Sequence, residues 1–266
     1  MTPSLVDICF NFTHSSFRQD EAEVLARAVA AGVETLMVTG SSVEESARCV
    51  ELAERYPDHL YATVGVHPHL SVEWNASSEA ALERMAAHPK VRAIGETGLD
   101  YNRDYSPRSA QRHAFTRQAA LAVDLGMPLF LHQRDAHADF MSILQEYRDA
   151  LGNVVVHCFT GSARELEDYL EADLHIGITG WICDERRGRH LHDLVGMIPL
   201  NRLMVETDAP YLLPRDLKPS PRGRRNEPSF LPHILQGLAG HLERSPAEIA
   251  AATTRTAMTF YGLPTN

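Results

Sequence analysis

The chain has 266 residues, 44% hydrophobic and 23% charged, which is enough for a large buried core and ordinary for a globular enzyme. Its net charge of −10 excludes a protein that grips nucleic acid through a broad basic surface, and no apolar run approaches a membrane span. Cys9, Cys49, Cys158 and Cys183 are scattered without C-x-x-C spacing, so they fit reduced thiols better than a disulfide framework or a structural zinc site. With no secretory signal pattern in the sequence, a cytoplasmic protein is expected.

Eight short, β-rich apolar runs read as strands: 5–10, 35–38, 61–66, 91–96, 128–132, 153–157, 174–178 and 203–206. Helical periodicity falls between them. Val24, Leu25, Ala28 and Val29 mark a helix over 19–31; Phe115, Ala119, Ala122 and Val123 mark one over 108–125. Phe140, Ile143, Leu144 and Tyr147 mark a third over 138–147. Ser42-x-x-Glu45 and Ser162-x-x-Glu165 are capping boxes, and Ser245-Pro246 starts a C-terminal helix. Gly32 and Gly126 stand where C-terminal caps belong. Strand and helix alternating about eight times, with nearly continuous apolar strands, predicts an α/β fold with a parallel sheet. Eight units, and no glycine-rich phosphate loop after the first strand, favour a (β/α)₈ TIM barrel over a dinucleotide fold. Residues 1–266 are expected to form a single domain, since no linker or composition shift divides them.

Metal-binding residue types stand at the ends of these runs. Glu96 closes 91–96, His132 closes 128–132, His157 closes 153–157, and Asp208 follows 203–206. In a barrel that sheet edge carries catalysis. A lone histidine at a strand end is usually a hydrogen-bonded core residue. Two on consecutive strands about 4.8 Å apart, with a carboxylate one strand back, instead make a His₂–carboxylate site with open positions for water. Asp208 is placed to ligate a second ion or to take a proton from an attacking water. Glu206 is expected to support it. His67, at the rim after 61–66, suits a phosphate contact or a proton shuttle, whereas His69 reads as loop structure around Pro68. Arg134 is a candidate phosphate clamp. The basic, proline-rich stretch 215–225 is either a solvated loop or a second phosphate contact.

These motifs resemble the TatD family of metal-dependent hydrolases. The matching segments are Ile94-Gly-Glu-Thr-Gly-Leu-Asp100, Leu131-His-Gln-Arg-Asp-Ala-His137, Val156-His-Cys-Phe-Thr-Gly161 and Val205-Glu-Thr-Asp-Ala-Pro-Tyr211, together with Gly65-Val-His-Pro-His69 and Arg225-Asn-Glu-Pro228. The likeness runs from Asp7 nearly to the C-terminus. Within the family, residues 176–187 resemble the bacterial magnesium-dependent 3′→5′ exonucleases that act on single-stranded DNA and RNA. The resemblance implies a nuclease of nucleic-acid degradation or DNA repair, working as a monomer. It implies Mg²⁺, or else Mn²⁺ or Zn²⁺, on Glu96, His132 and His157, with Asp208 and His67 catalytic and Asn11, Arg134 and Arg225 on the substrate.

One departure stands out. Much of the family carries His-x-His after its first-strand aspartate, whereas this chain reads Asp7-Ile8-Cys9-Phe10-Asn11. A second metal position therefore lacks ligands, and Asn11 is left to orient water or a substrate oxygen. Two rival readings keep the same barrel. A metal-activated water equally suits a deacylase or amidohydrolase, for example on aminoacyl-tRNA. A non-catalytic binding protein would have to retain four costly polar groups without using them.

Overall fold

The computed structural model describes residues 4–264, the side chain of Arg222 excepted. Its strands are β1 (Leu5–Phe10), β2 (Val33–Val38), β3 (Leu60–Val64), β4 (Val91–Asp100), β5 (Leu129–Arg134), β6 (Val154–Val156), β7 (His175–Ile178) and β8 (Leu203–Val205). The α-helices are α1 (Glu21–Ala30), α2 (Val43–Arg55), α3 (Ala76–Ala86), α4 (Arg108–Leu125), α5 (His137–Tyr147), α6 (Ala163–Glu171), α7 (Arg189–Leu194), α8 (Leu231–His241) and α9 (Pro246–Phe260). The strands make one sheet in the order β1 to β8, and the β3–β4, β4–β5, β5–β6 and β7–β8 pairings are parallel. A parallel bridge joins Phe10, at the end of β1, to Ala209, just past β8. Sequential strand order, a helix after each strand, and the first strand bridged to the last define the (β/α)₈ barrel class that the sequence predicts.

The helix signals act as expected. Ser42 and Ser245 accept from the backbone N–H groups of Glu45 and Glu248, and Ser162 and Glu165 form a reciprocal box. Gly126 ends α4 in the left-handed region at φ 62°. Two expectations needed correction. The strand that carries Glu96 does not stop there but continues to Asp100, and β5 does not end at His132 but runs on to Arg134.

The chain divides into two compact units. Among the described residues, one comprises Val38–His157 and Glu171–Leu174; the other comprises 4–37, Cys158–Leu170 and 175–264. In the first, Phe115 of α4 stacks on Phe140 of α5 with centroids 5.2 Å apart. Two buried glutamines on α4 then fix the strand ends. Gln118 accepts from Val66 N at 2.8 Å and donates to Thr97 Oγ1 at 2.7 Å, while Gln111 accepts from Asp100 N at 2.8 Å. A side-chain amide both donates and accepts, so each pins backbone that the sheet ladder leaves unpaired. In the second unit, α9 packs on β1 and β8, and Phe10, Phe12 and Phe17 cluster with centroids 4.5–6.0 Å apart.

Candidate active site

The site in the first unit begins with two glycines of β4. Gly95 and Gly98 sit at φ 136° and 138°, a region that side chains rarely adopt. A Cβ on Gly98 would lie 1.9 Å from the carbonyl oxygen of His132, and one on Gly95 would lie 2.2 Å from that of Phe130. Only glycine lets β5 approach this closely. The β4–β5 register also shifts between Ile94 and Thr97, and a bulge of this kind re-aims the side chain it contains. That side chain is Glu96.

Three imidazoles converge on one oxygen of Glu96. His157 Nε2 lies 2.8 Å from Oε1, His132 Nδ1 3.1 Å and His67 Nε2 3.3 Å. Burial alone would raise the Glu96 pKa, but His67, His157 and His132 outweigh it and hold the carboxylate well below its usual range. Behind His132, Asp100 Oδ2 meets its Nε2 at 3.2 Å and His69 Nε2 at 2.8 Å. Burial disfavours a charged His132, yet Asp100 and Glu96 prevail and its pKa is raised. Although burial opposes it, the two imidazoles and the Arg103 N–H keep Asp100 itself ionised, far below the usual value.

His67 differs from its neighbours. The backbone N–H of His69 donates to His67 Nδ1 at 3.1 Å, so that nitrogen is the acceptor and the proton of the neutral ring sits on Nε2. Burial pushes the ring down to about 4, against the opposing pull of Glu96, and so keeps it neutral near pH 7. His67 is thereby set up as a neutral N–H donor.

Ligand atoms of His67, Glu96 and His132 lie within 4.8 Å of one another, and His157 Nε2 meets the same Glu96 oxygen. One anionic oxygen and two imidazoles, with a carboxylate backing His132, match the ligand and supporting shell of a His₂–carboxylate site once a cation displaces the ring protons that face Glu96. The residues fit a divalent cation.

The second unit holds Asp208. Its Oδ1 accepts from Asn11 Nδ2 at 2.9 Å and from Cys9 Sγ at 3.6 Å, and its backbone N–H donates to Cys9 O at 3.0 Å. The neighbouring Thr207 is fixed by Asp7, whose Oδ1 accepts from Thr207 N at 2.9 Å and whose Oδ2 accepts from Thr207 Oγ1 at 2.5 Å. Asn226 Nδ2 holds the Thr207 carbonyl at 2.9 Å. Glu206 is fully buried and accepts from the backbone N–H of Cys158. Arg225 is engaged with Asp20 at 2.6 Å and Glu227 at 2.6 Å, over the ring of Phe17. Both its Nη groups are engaged, with Asp20, Glu227 and the Ser16 carbonyl. Arg134 ends β5, in register with Asp100.

Sequence reasoning missed Asp7, Asp100 and the role of His69. Asp100 carried a signal: carboxylates four residues apart on a strand share a face. His69 joins the carboxylate–imidazole chain through Asp100 rather than serving only as loop structure.

Asp7 supplies a pH test. Burial raises its pKa from 3.8 to about 7, partly offset by the Thr207 and Cys9 hydrogen bonds. Between those values the folded chain keeps a proton that the unfolded chain releases, so stability falls as pH rises through the window, by roughly 4 kcal/mol in all. Asp7→Asn is expected to flatten that slope in urea melts between about pH 4 and about pH 8. An unchanged slope would show that Asp7 is not the group responsible.

The comparisons with known proteins agree with this geometry. The profile of the family described as TatD related DNase matches residues 6–262. The 3′-5′ ssDNA/RNA exonuclease TatD of Citrobacter rodentium is 51% identical over 259 residues, covering 97% of this chain and 98% of that protein. Its namesake from Escherichia coli K12 is 47% identical, covering 97% and 99%. Among solved structures, the TatD homolog YJJV of Escherichia coli K12 superposes with a TM-score of 0.89 at 30% identity, covering 99% of this chain and all of that one. Likeness of this extent in sequence and fold, around a carboxylate ringed by imidazoles, shows that the chain belongs to the TatD family of metal-dependent hydrolases.

Proposed function

We propose that this protein is a magnesium-dependent 3′→5′ exonuclease of single-stranded DNA and RNA. The observation that carries the reading is the convergence of His157, His132 and His67 on Glu96 Oε1. Relatives about half identical and bearing that activity in their names support it. Glu96, His132 and His157 are the residues that would hold the cation, which when bound supplies charge neutralisation at the phosphoryl group and a more acidic water. Asp100 orients His132 through its outer nitrogen.

The remaining residues handle substrate and proton. His67 donates its Nε2–H to a phosphoryl oxygen, a role its fixed tautomer and neutral state favour over shuttling a proton. Asp208 accepts the proton of the attacking water, while Asn11 holds its Oδ1. Arg134 binds a neighbouring phosphate. An acidic chain without a wrapping basic face suits a short single strand better than a duplex.

The test is purified protein with single-stranded DNA and RNA labelled at the 5′ end, with Mg²⁺ or with EDTA. A ladder of shortening products that depends on Mg²⁺ is expected. Cuts within a circular single strand, or full activity in EDTA, would sink the proposal. A smaller effect is expected of Arg134→Ala: about tenfold higher KM with kcat nearly kept, partly restored in Arg134→Lys. Equal KM in the three proteins would remove Arg134 from the substrate site.

A further inference from the structure

Among the described residues, a second group of metal-ligating side chains lies outside the Glu96 site. Cys183 ends the 3₁₀ turn Gly180–Cys183 that follows β7, Asp216 lies on the loop between β8 and α8, and His233 stands in the first turn of α8. One ligand atom from each, thiol, carboxylate and imidazole, lies within 4.8 Å of the other two. His233 Nε2 is 2.7 Å from Asp216 Oδ1. We propose that Cys183, Asp216 and His233 form a second metal site, selective for a borderline-soft divalent cation of the zinc type and independent of the catalytic site.

Donor chemistry sets the class of ion. A thiolate and an imidazole favour zinc or cobalt over magnesium, which prefers oxygen ligands. A zinc ion sits about 2.3 Å from sulfur and about 2.0 Å from an imidazole nitrogen, so donors already this near close on it through small side-chain movements. Three protein ligands leave one position for water, and the half-exposed Asp216 side of the cluster gives the ion a way in. The backbone holds the sulfur in place. A Cβ on Gly237, one turn after His233, would lie 3.0 Å from Cys183 Sγ, so the bare helix face at Gly237 makes room for the thiol beside His233.

The donors are already gathered in the ion-free protein: Asp216 Oδ1 pairs with His233 Nε2 at 2.7 Å, and the Cys183 thiol lies beside both. On binding, the S–H bond breaks, the proton leaves to water and the sulfur lone pair goes to the cation. A bound ion then ties the loop after β8 to the turn after β7 and to α8. The isolated cysteines of the sequence gave no hint of this, because the three ligands come from positions 183, 216 and 233 without a motif spacing.

The experiment uses cobalt(II), titrated into the metal-stripped full-length protein and followed by absorbance. The near-ultraviolet thiolate-to-cobalt band reports cysteine ligation, and the Cys183→Ser variant assigns it to Cys183 rather than to another thiol. One equivalent is expected to produce the band, Zn²⁺ to abolish it by displacement, and a large excess of Mg²⁺ to leave it unchanged. Cys183→Ser should lose the band with an unaltered circular dichroism spectrum. His233→Gln, which keeps the thiol, should weaken cobalt binding at least about tenfold. Glu96→Ala should keep the band. Absence of the band in the unmutated protein, its persistence in Cys183→Ser, unchanged affinity in His233→Gln, or its loss in Glu96→Ala would each overturn the proposal.

Discussion

Glu96→Ala is expected to lower kcat/KM on single-stranded oligonucleotides by at least about a thousandfold. In the proposed site this residue supplies the anionic ligand, and Lewis-acid stabilisation by a bound cation is worth several kcal/mol, each 1.4 kcal/mol being a factor of about ten. Glu96→Gln should be nearly as damaging, because an amide of the same size brings neither the charge nor the acceptor pair. The fold should survive both changes. Glu96 lies at the inner face of a strand whose packing comes from Ile94, Leu99 and the β5 residues Leu129, Phe130 and Leu131, and none of these is touched. The measurement is initial rate at saturating Mg²⁺, with circular dichroism on the same samples. Activity within tenfold of the unmutated protein, in a folded variant, would remove Glu96 from the chemistry.

The architecture was legible because its signals are local. Apolar runs bounded by turn residues, serine caps with Glu three residues on, and glycine at the end of α4 all act within a few residues of themselves. Eight repetitions then leave few topologies. Strand ends were read less well where pairing overrides pattern. β4 looked finished at Glu96 because glycine and polar residues follow, yet Gly98 pairs with His132 and Asp100 with Arg134, so the strand runs on. The extra length is what brings Asp100 behind His132.

The candidate site was legible in its chemistry-bearing residues and not in their supports. Glu96, His132 and His157 announce themselves as chemistry-bearing types at strand ends. Gln111 and Gln118 look like unremarkable polar residues on a helix, and nothing in one sequence says that each is buried and bonded to strand backbone. Arg225 shows what a local pattern leaves out. A basic, proline-rich stretch suggests phosphate binding, but Arg225 closes on Asp20, some two hundred residues away in sequence, a pairing that no local pattern encodes. The structure places His67 beside Glu96, and its donor character is visible only in the hydrogen bond of His69 N to its Nδ1.

Asp208→Asn is expected to lower kcat by about a hundredfold to ten-thousandfold, the usual value of a positioned base, while metal affinity without substrate stays the same. The reasoning starts from the first strand. Cys9 and Asn11 both direct a donor at Asp208 Oδ1. Donors aimed at a carboxylate stabilise it as an anion and fix its orientation, which is what a base needs before a water molecule arrives. Asparagine keeps the shape and still accepts from Asn11, but it cannot take a proton, so rate and binding should separate. The loss should shrink as the solution is made more alkaline, since hydroxide can then substitute for the missing base. Calorimetric titration of the variant with Mg²⁺, beside its pH–rate profile, decides between the roles. A drop in metal stoichiometry or affinity would mean that Asp208 is a primary ligand, and the base assignment would be abandoned.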